Sequence, residues 1–100
     1  MADRHYASGN WQVRAGEEEE FISRWRDWIE KSTREVSGFG SASLIRDVAD
    51  PRHFLSFSEW EDPGSRDAWK SSPDFSQGLA SCRELCEDFR GGDYSEAVSF

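Results

Sequence analysis

One hundred residues with twenty acidic and twelve basic side chains give a formal net charge of -8. A field of that sign repels nucleic-acid phosphates, and no basic stripe offsets it, so no nucleic-acid partner is expected. No apolar run approaches the ~20 residues of a membrane-spanning helix, and the length suits a single domain, taken as residues 1–100 with 1–6 as a flexible start.

The opening stretch MADRHYASGN has no apolar core of the kind a secretory signal carries, so the cytoplasm is the expected compartment. From Ser8 to Gly16, SGNWQVRAG sets Trp11 and Val13 in alternation with Asn10, Gln12 and Arg14, the period of a strand. EEEEFISRWRDWIEKSTREV then places Phe21, Ile22, Trp25, Trp28, Ile29 and Val36 at helical spacing. Its run of glutamates suits the positive end of the helix dipole, and no His or Asp stands at ligand spacing to make that run a metal site. Ser37-Gly38 is the expected stop, with Gly38 as the C-terminal cap.

FGSASLIRDVAD reads as a second strand ending in a turn, and HFLSFSEWE as a third. In the third, Phe54, Ser56, Ser58 and Trp60 share one side, while Leu55 and Phe57 share the other. DPGSRDAWKSS predicts a short helix with Asp62 as N-cap and Pro63 in its first turn. After the Ser-Ser-Pro break, Phe75, Leu79, Cys82, Cys86 and Phe89 form the stripe of a further helix, which RGG is expected to stop. DYSEAVSF would then be the last strand. Cys82 and Cys86, one turn apart on that helix, read as small buried residues better than as a metal or redox pair.

The order is β-α-β-β-α-β, the ferredoxin-like α+β plan of a four-stranded antiparallel sheet with its helices on one face. The third strand is apolar on both sides, yet no part of the chain is left to cover the second face. The expectation is a homodimer packed sheet to sheet.

GNWQVRAGEEEEFISRW, GFGSASLIRD, HFLSFSEWED and RDAWKSSPDF together resemble the antibiotic biosynthesis monooxygenase family of dimeric α+β barrels. The resemblance covers nearly the whole chain and rests on element order and placed aromatics. It implies a homodimer with a pocket in each subunit between sheet and helices. One branch of that family oxidises aromatic intermediates without a cofactor, another degrades heme, and others have no assigned reaction.

The heme-degrading branch uses a histidine on the last helix as iron ligand. Here Leu79 stands near that place, and no histidine lies between Phe75 and Phe89. Asn10 is out of phase with the asparagine of that branch, since Gly9 shares the strand parity of Trp11 and Val13. The cofactor-free branch asks only for an aromatic cavity that favours a substrate anion and excludes water. Trp11, Trp25, Trp69 and Phe75 are its candidate walls here, with Leu79 and Cys82 as floor. His53 is the one candidate base, its alternative reading being an exposed strand-end residue. Trp69 is open to two readings, core packing and ligand wall. The function expected is cofactor-independent oxygenation of a small aromatic ligand, polyketide-like or a quinol, with no metal; the alternative is a non-catalytic dimeric module that binds a small ligand.

Overall fold

The computed structural model describes residues 4–100. Its elements run β1 (His5–Val13), α1 (Glu18–Glu35), β2 (Phe39–Arg46), β3 (His53–Trp60), α2 (Pro63–Lys70), α3 (Pro73–Arg83) and β4 (Cys86–Ser95). The strands form one antiparallel sheet in the order β2-β3-β1-β4. With α2 and α3 taken as the second helical unit, this is the expected βαββαβ order. Among the described residues, no helix is long and apolar enough to cross a membrane.

Local chemistry explains most boundaries. Asp62 accepts a hydrogen bond from the Ser65 amide at 2.7 Å and Pro63 fills the first turn of α2. Ser72 repeats the arrangement for α3, accepting from the Phe75 amide at 3.2 Å before Pro73. Gly38, with φ +81°, sits in the left-handed region that a side chain would strain, and it turns the chain from α1 into β2. β1 begins earlier than its alternation suggested: His5 and Tyr6, expected in a loose start, pair with β3 and β4.

The sheet buries its odd β1 positions and even β3 positions under the helices. Trp11, Val13, Phe21, Phe54, Cys82 and Leu85 form one core cluster. Ala7, Ile29, Trp60 and Trp69 form a second at the other end of the helices. The opposite face is left open, and Ile45, Leu55, Phe57 and Tyr94 stand exposed on it. The two-sided pattern read in the third strand is thus the pattern of β3.

The end of the chain departs from expectation. The last helix stops at Arg83, not at RGG, and the final strand is Cys86–Ser95, not residues 93–100. Cys86 and Phe89 belong to β4, and Gly91 and Gly92 lie inside that strand, opposite Gly9 and Ser8. Val98 and Phe100 fall after it and are exposed. The cause is a bulge: Val13 pairs with Cys86 while Gln12 pairs with Asp88, leaving Glu87 as an extra residue. The extra residue puts Cys86 and Phe89, three apart, on the same helix-facing side. Their spacing therefore imitates helical period while belonging to a strand.

Candidate functional site

Between the covered face of the sheet and the three helices lies a cavity of about 290 Å³. β1 contributes Trp11 and β4 contributes Phe89 to its wall; α1 adds Trp25, Trp28 and Ile29; α2 and α3 add Trp69, Phe75 and Leu79. Ser8 and Phe57 also border it, although strand alternation sends their side chains to the open face, so they offer backbone. Of the residues expected to line a pocket, Trp11, Trp25, Trp69, Phe75 and Leu79 meet here. Cys82 does not: it is fully buried in the core cluster around Trp11, Val13 and Phe21.

Trp69 is the hub of the aromatic wall. Its ring centroid lies 5.8 Å from that of Trp28 in a stacked pair, 5.1 Å from Trp60, and 4.7 Å from Phe75 in an edge contact. Only 4 % of Trp69 is exposed, yet it borders the cavity. The two readings of Trp69 are therefore not exclusive. A larger groove of about 760 Å³ lies outside, between α1 and the α2–α3 corner, and Trp28 and Trp69 border it as well. That groove carries Asp27, Lys31, Glu35 and Asp74 at its rim. The inner cavity, with its continuous aromatic wall, is the better match to a small-ligand site.

Three indoles are each held by a serine. Trp11 Nε1 donates to Ser56 Oγ at 2.9 Å, Trp60 Nε1 to Ser58 Oγ at 2.8 Å, and Trp69 Nε1 to Ser32 Oγ at 3.3 Å. All three serines are buried. A buried indole N–H without an acceptor is costly, so these hydroxyls lock Trp11 and Trp69 of the wall and Trp60 of the core packed behind Trp69. Gly9 makes the first pair possible: a β-carbon there would lie 2.6 Å from Trp11 Nε1 and 2.8 Å from Ser56 Oγ. Trp28 Nε1 is the exception, buried with no partner among the described residues.

Lys70, the last residue of α2, is the one ionisable side chain among the described residues that border the cavity. Its Nζ donates to Asp93 Oδ1 at 2.6 Å, and Arg66 Nε lies 3.9 Å from the same oxygen. His53, the candidate base, lies elsewhere. Its ring spans Asp47 Oδ2 at 2.9 Å and Asn10 Oδ1 at 2.8 Å and borders a separate hollow of about 120 Å³ with Ile45 and Leu55. The His53 contact, followed by the Ala49 amide, holds the Asp47 carboxyl below its ordinary range. The dyad is built, but it does not face the aromatic cavity.

Both cysteines are free thiols, Cys82 on α3 and Cys86 on β4, not one turn apart on one helix. Burial pushes the Cys82 thiol up to about 12 and Cys86 up to about 11. Such groups stay protonated at neutral pH and make poor nucleophiles or metal ligands. Among the described residues, no three His, Cys, Asp or Glu side chains gather where they could hold a metal ion.

Ser56, Ser58, Lys70 and Phe89 border the cavity without having been expected there from the sequence. A signal for the serines was present: two small polar residues on the inward side of a strand, between Phe54 and Trp60, are out of place in a plain core. Phe89 was hidden by the bulge.

Residues 5–81 match the family described as antibiotic biosynthesis monooxygenase. No curated protein is similar enough to the chain to match it. Among solved structures, the fold is similar to that of SnoaB, a cofactor-independent oxygenase from Streptomyces nogalater, with TM-score 0.86 and 19% identity over 98% of this chain and 97% of that one. A conserved protein from Methanosarcina mazei Go1 is similar at TM-score 0.81 and 20% identity over 92% of this chain and 91% of that one. A protein from Shewanella oneidensis is similar at TM-score 0.82 and 18% identity, over 96% and 93%.

Proposed function

Because the chain belongs to the antibiotic biosynthesis monooxygenase family, we propose that it is a cofactor-independent monooxygenase that oxidises a planar aromatic substrate, polyketide-like or a quinol, in the cavity beside Trp69. The observation that carries this reading is the cavity itself: about 290 Å³, walled by four tryptophans and two phenylalanines, with serine hydroxyls and one ammonium as its polar side chains. Burial against Trp and Phe supplies affinity for a flat ring system. Dry aromatic walls keep water from a reactive intermediate.

The chemistry asks little of the protein. A phenol or anthrone that has lost a proton to water is electron-rich enough to pass an electron to dioxygen. Recombination forms a C–O bond. For an anthrone the balance is one methylene and one dioxygen giving one carbonyl and one water, with the substrate carbon as the sole reductant. The enzyme's part is to bind the ring and favour its anion. The test is isotopic: anthrone turned over under ¹⁸O-labelled dioxygen should yield anthraquinone with one labelled oxygen. Unlabelled quinone, its new oxygen coming from water, would contradict the reading; ligand binding with no turnover would favour a non-catalytic binding module.

The working form is a homodimer joined through the open sheet faces, in the cytoplasm. Support for the dimer comes from Ile45, Leu55, Phe57 and Tyr94, apolar or aromatic side chains exposed on the one face that the chain's own helices leave bare. Support for the compartment comes from two cysteines kept as free thiols.

A further inference from the structure

The polar side chains of the aromatic cavity are biased toward giving hydrogen bonds. An indole N–H can only donate, so Trp11 obliges Ser56 Oγ to accept and Trp60 obliges Ser58 Oγ to accept. Each hydroxyl then has its own proton left to give, and neither proton has an acceptor among the described residues. Lys70 adds an ammonium with three N–H bonds, of which Asp93 takes one. Among the described residues the cavity borders no carboxylate and no imidazole. In a chain of net charge -8, the one ionisable group placed on this wall is a cation.

We infer that the cavity selects its aromatic ligand as an oxyanion, a phenolate or enolate, with Lys70 as the residue that sets this preference and the Ser56 and Ser58 hydroxyls donating to the ligand's oxygens. This rests on the aromatic cavity being the binding site. A neutral phenol would bring an O–H proton into a site rich in protons already, whereas its anion brings only acceptors. The same bias removes the need for a base in the cavity, where His53 is absent. Stabilising the anion lowers the pKa of the bound ligand, and the proton leaves to water. Asp93 then acts as the counter-ion that holds Lys70 until a ligand oxygen replaces it.

The experiment is a calorimetric titration with two probes of equal ring size, 2-hydroxy-1,4-naphthoquinone, an anion at neutral pH, and its neutral 2-methoxy ether. The anion should bind about tenfold more tightly, the order expected of one charge-assisted hydrogen bond. Lys70→Met should erase that preference and leave ether affinity in place, while Lys70→Arg should keep it. Asp93→Asn should strengthen anion binding, because it frees Lys70 from a competing carboxylate. If the Lys70–Asp93 pair serves only to fasten α2 to β4, both Lys70→Met and Asp93→Asn will weaken both probes and lower the melting temperature together, which overturns the inference. Equal affinity for anion and ether in the unmodified protein also overturns it, while leaving the aromatic cavity intact as a site. Binding of neither probe would bring down the cavity reading itself, and the inference with it.

Discussion

Light scattering at micromolar concentration should return about twice the 11.5 kDa chain mass, and Phe57→Glu should return the single-chain mass. Phe57 is 39 % exposed on the open face of the sheet, so a glutamate there is hydrated in a folded monomer and costs its stability little. Across a sheet-to-sheet interface the same carboxylate would be buried without a partner, at a cost of several kcal/mol. The substitution thus separates assembly from folding: the circular dichroism spectrum should survive while the mass halves. A monomer in the unmodified protein would sink the dimer. A Phe57→Glu protein that stays dimeric would mean that another surface joins the subunits.

The second large effect is at Trp69. Trp69→Ala removes the hub of a cluster that includes Trp28, Phe39, Trp60 and Phe75, with ring centroids 4.7 to 5.8 Å away. Removing a buried indole in this way should cost about 3–5 kcal/mol of stability, a large part of what a domain this size has. That substitution alone cannot tell core from site. Trp69→Phe can. It keeps most of the packing and gives up the Nε1 bond to Ser32 Oγ, which at 3.3 Å is worth about 1 kcal/mol. The melting temperature should fall modestly, while affinity for a naphthoquinol, followed by tryptophan fluorescence, should fall severalfold. Unchanged affinity with lowered stability would reduce Trp69 to core packing alone.

Much of this fold could be read from residue order, because most of the early boundaries have a local cause. Asp62 with Pro63 and Ser72 with Pro73 are chemical start signals for α2 and α3, and Gly38 is a backbone requirement. The alternation of HFLSFSEW shows at once which side of β3 is covered and which is bare. The end of the chain was not legible for an equally physical reason. Strand period and helix period are told apart by spacing, and a bulge at Glu87 gives Cys86 and Phe89 the spacing of a helix.

The site divides along the same line. Large aromatics announce a cavity wall by composition and face, so Trp11, Trp25, Trp69 and Phe75 could be gathered without coordinates. Whether a buried small residue such as Cys82 reaches the cavity or stops in the core beneath it depends on packing depth, which no periodicity encodes. Lys70 borders the cavity at the end of α2, with its ammonium held 2.6 Å from Asp93 of β4. That pairing spans 23 residues and two elements. His53 shows the reverse case: a residue type suited to catalysis, placed by strand parity on the other face, where Asp47 and Asn10 hold its ring.

Oxygenation in the cavity beside Trp69, as proposed, needs neither metal nor flavin. The most direct measurement is oxygen uptake with anthrone as substrate, using protein dialysed against a chelator and free of flavin absorbance. Uptake should continue at an undiminished rate, one dioxygen consumed for each anthraquinone formed. Uptake that vanishes on chelation and returns when a metal ion is added back would contradict it.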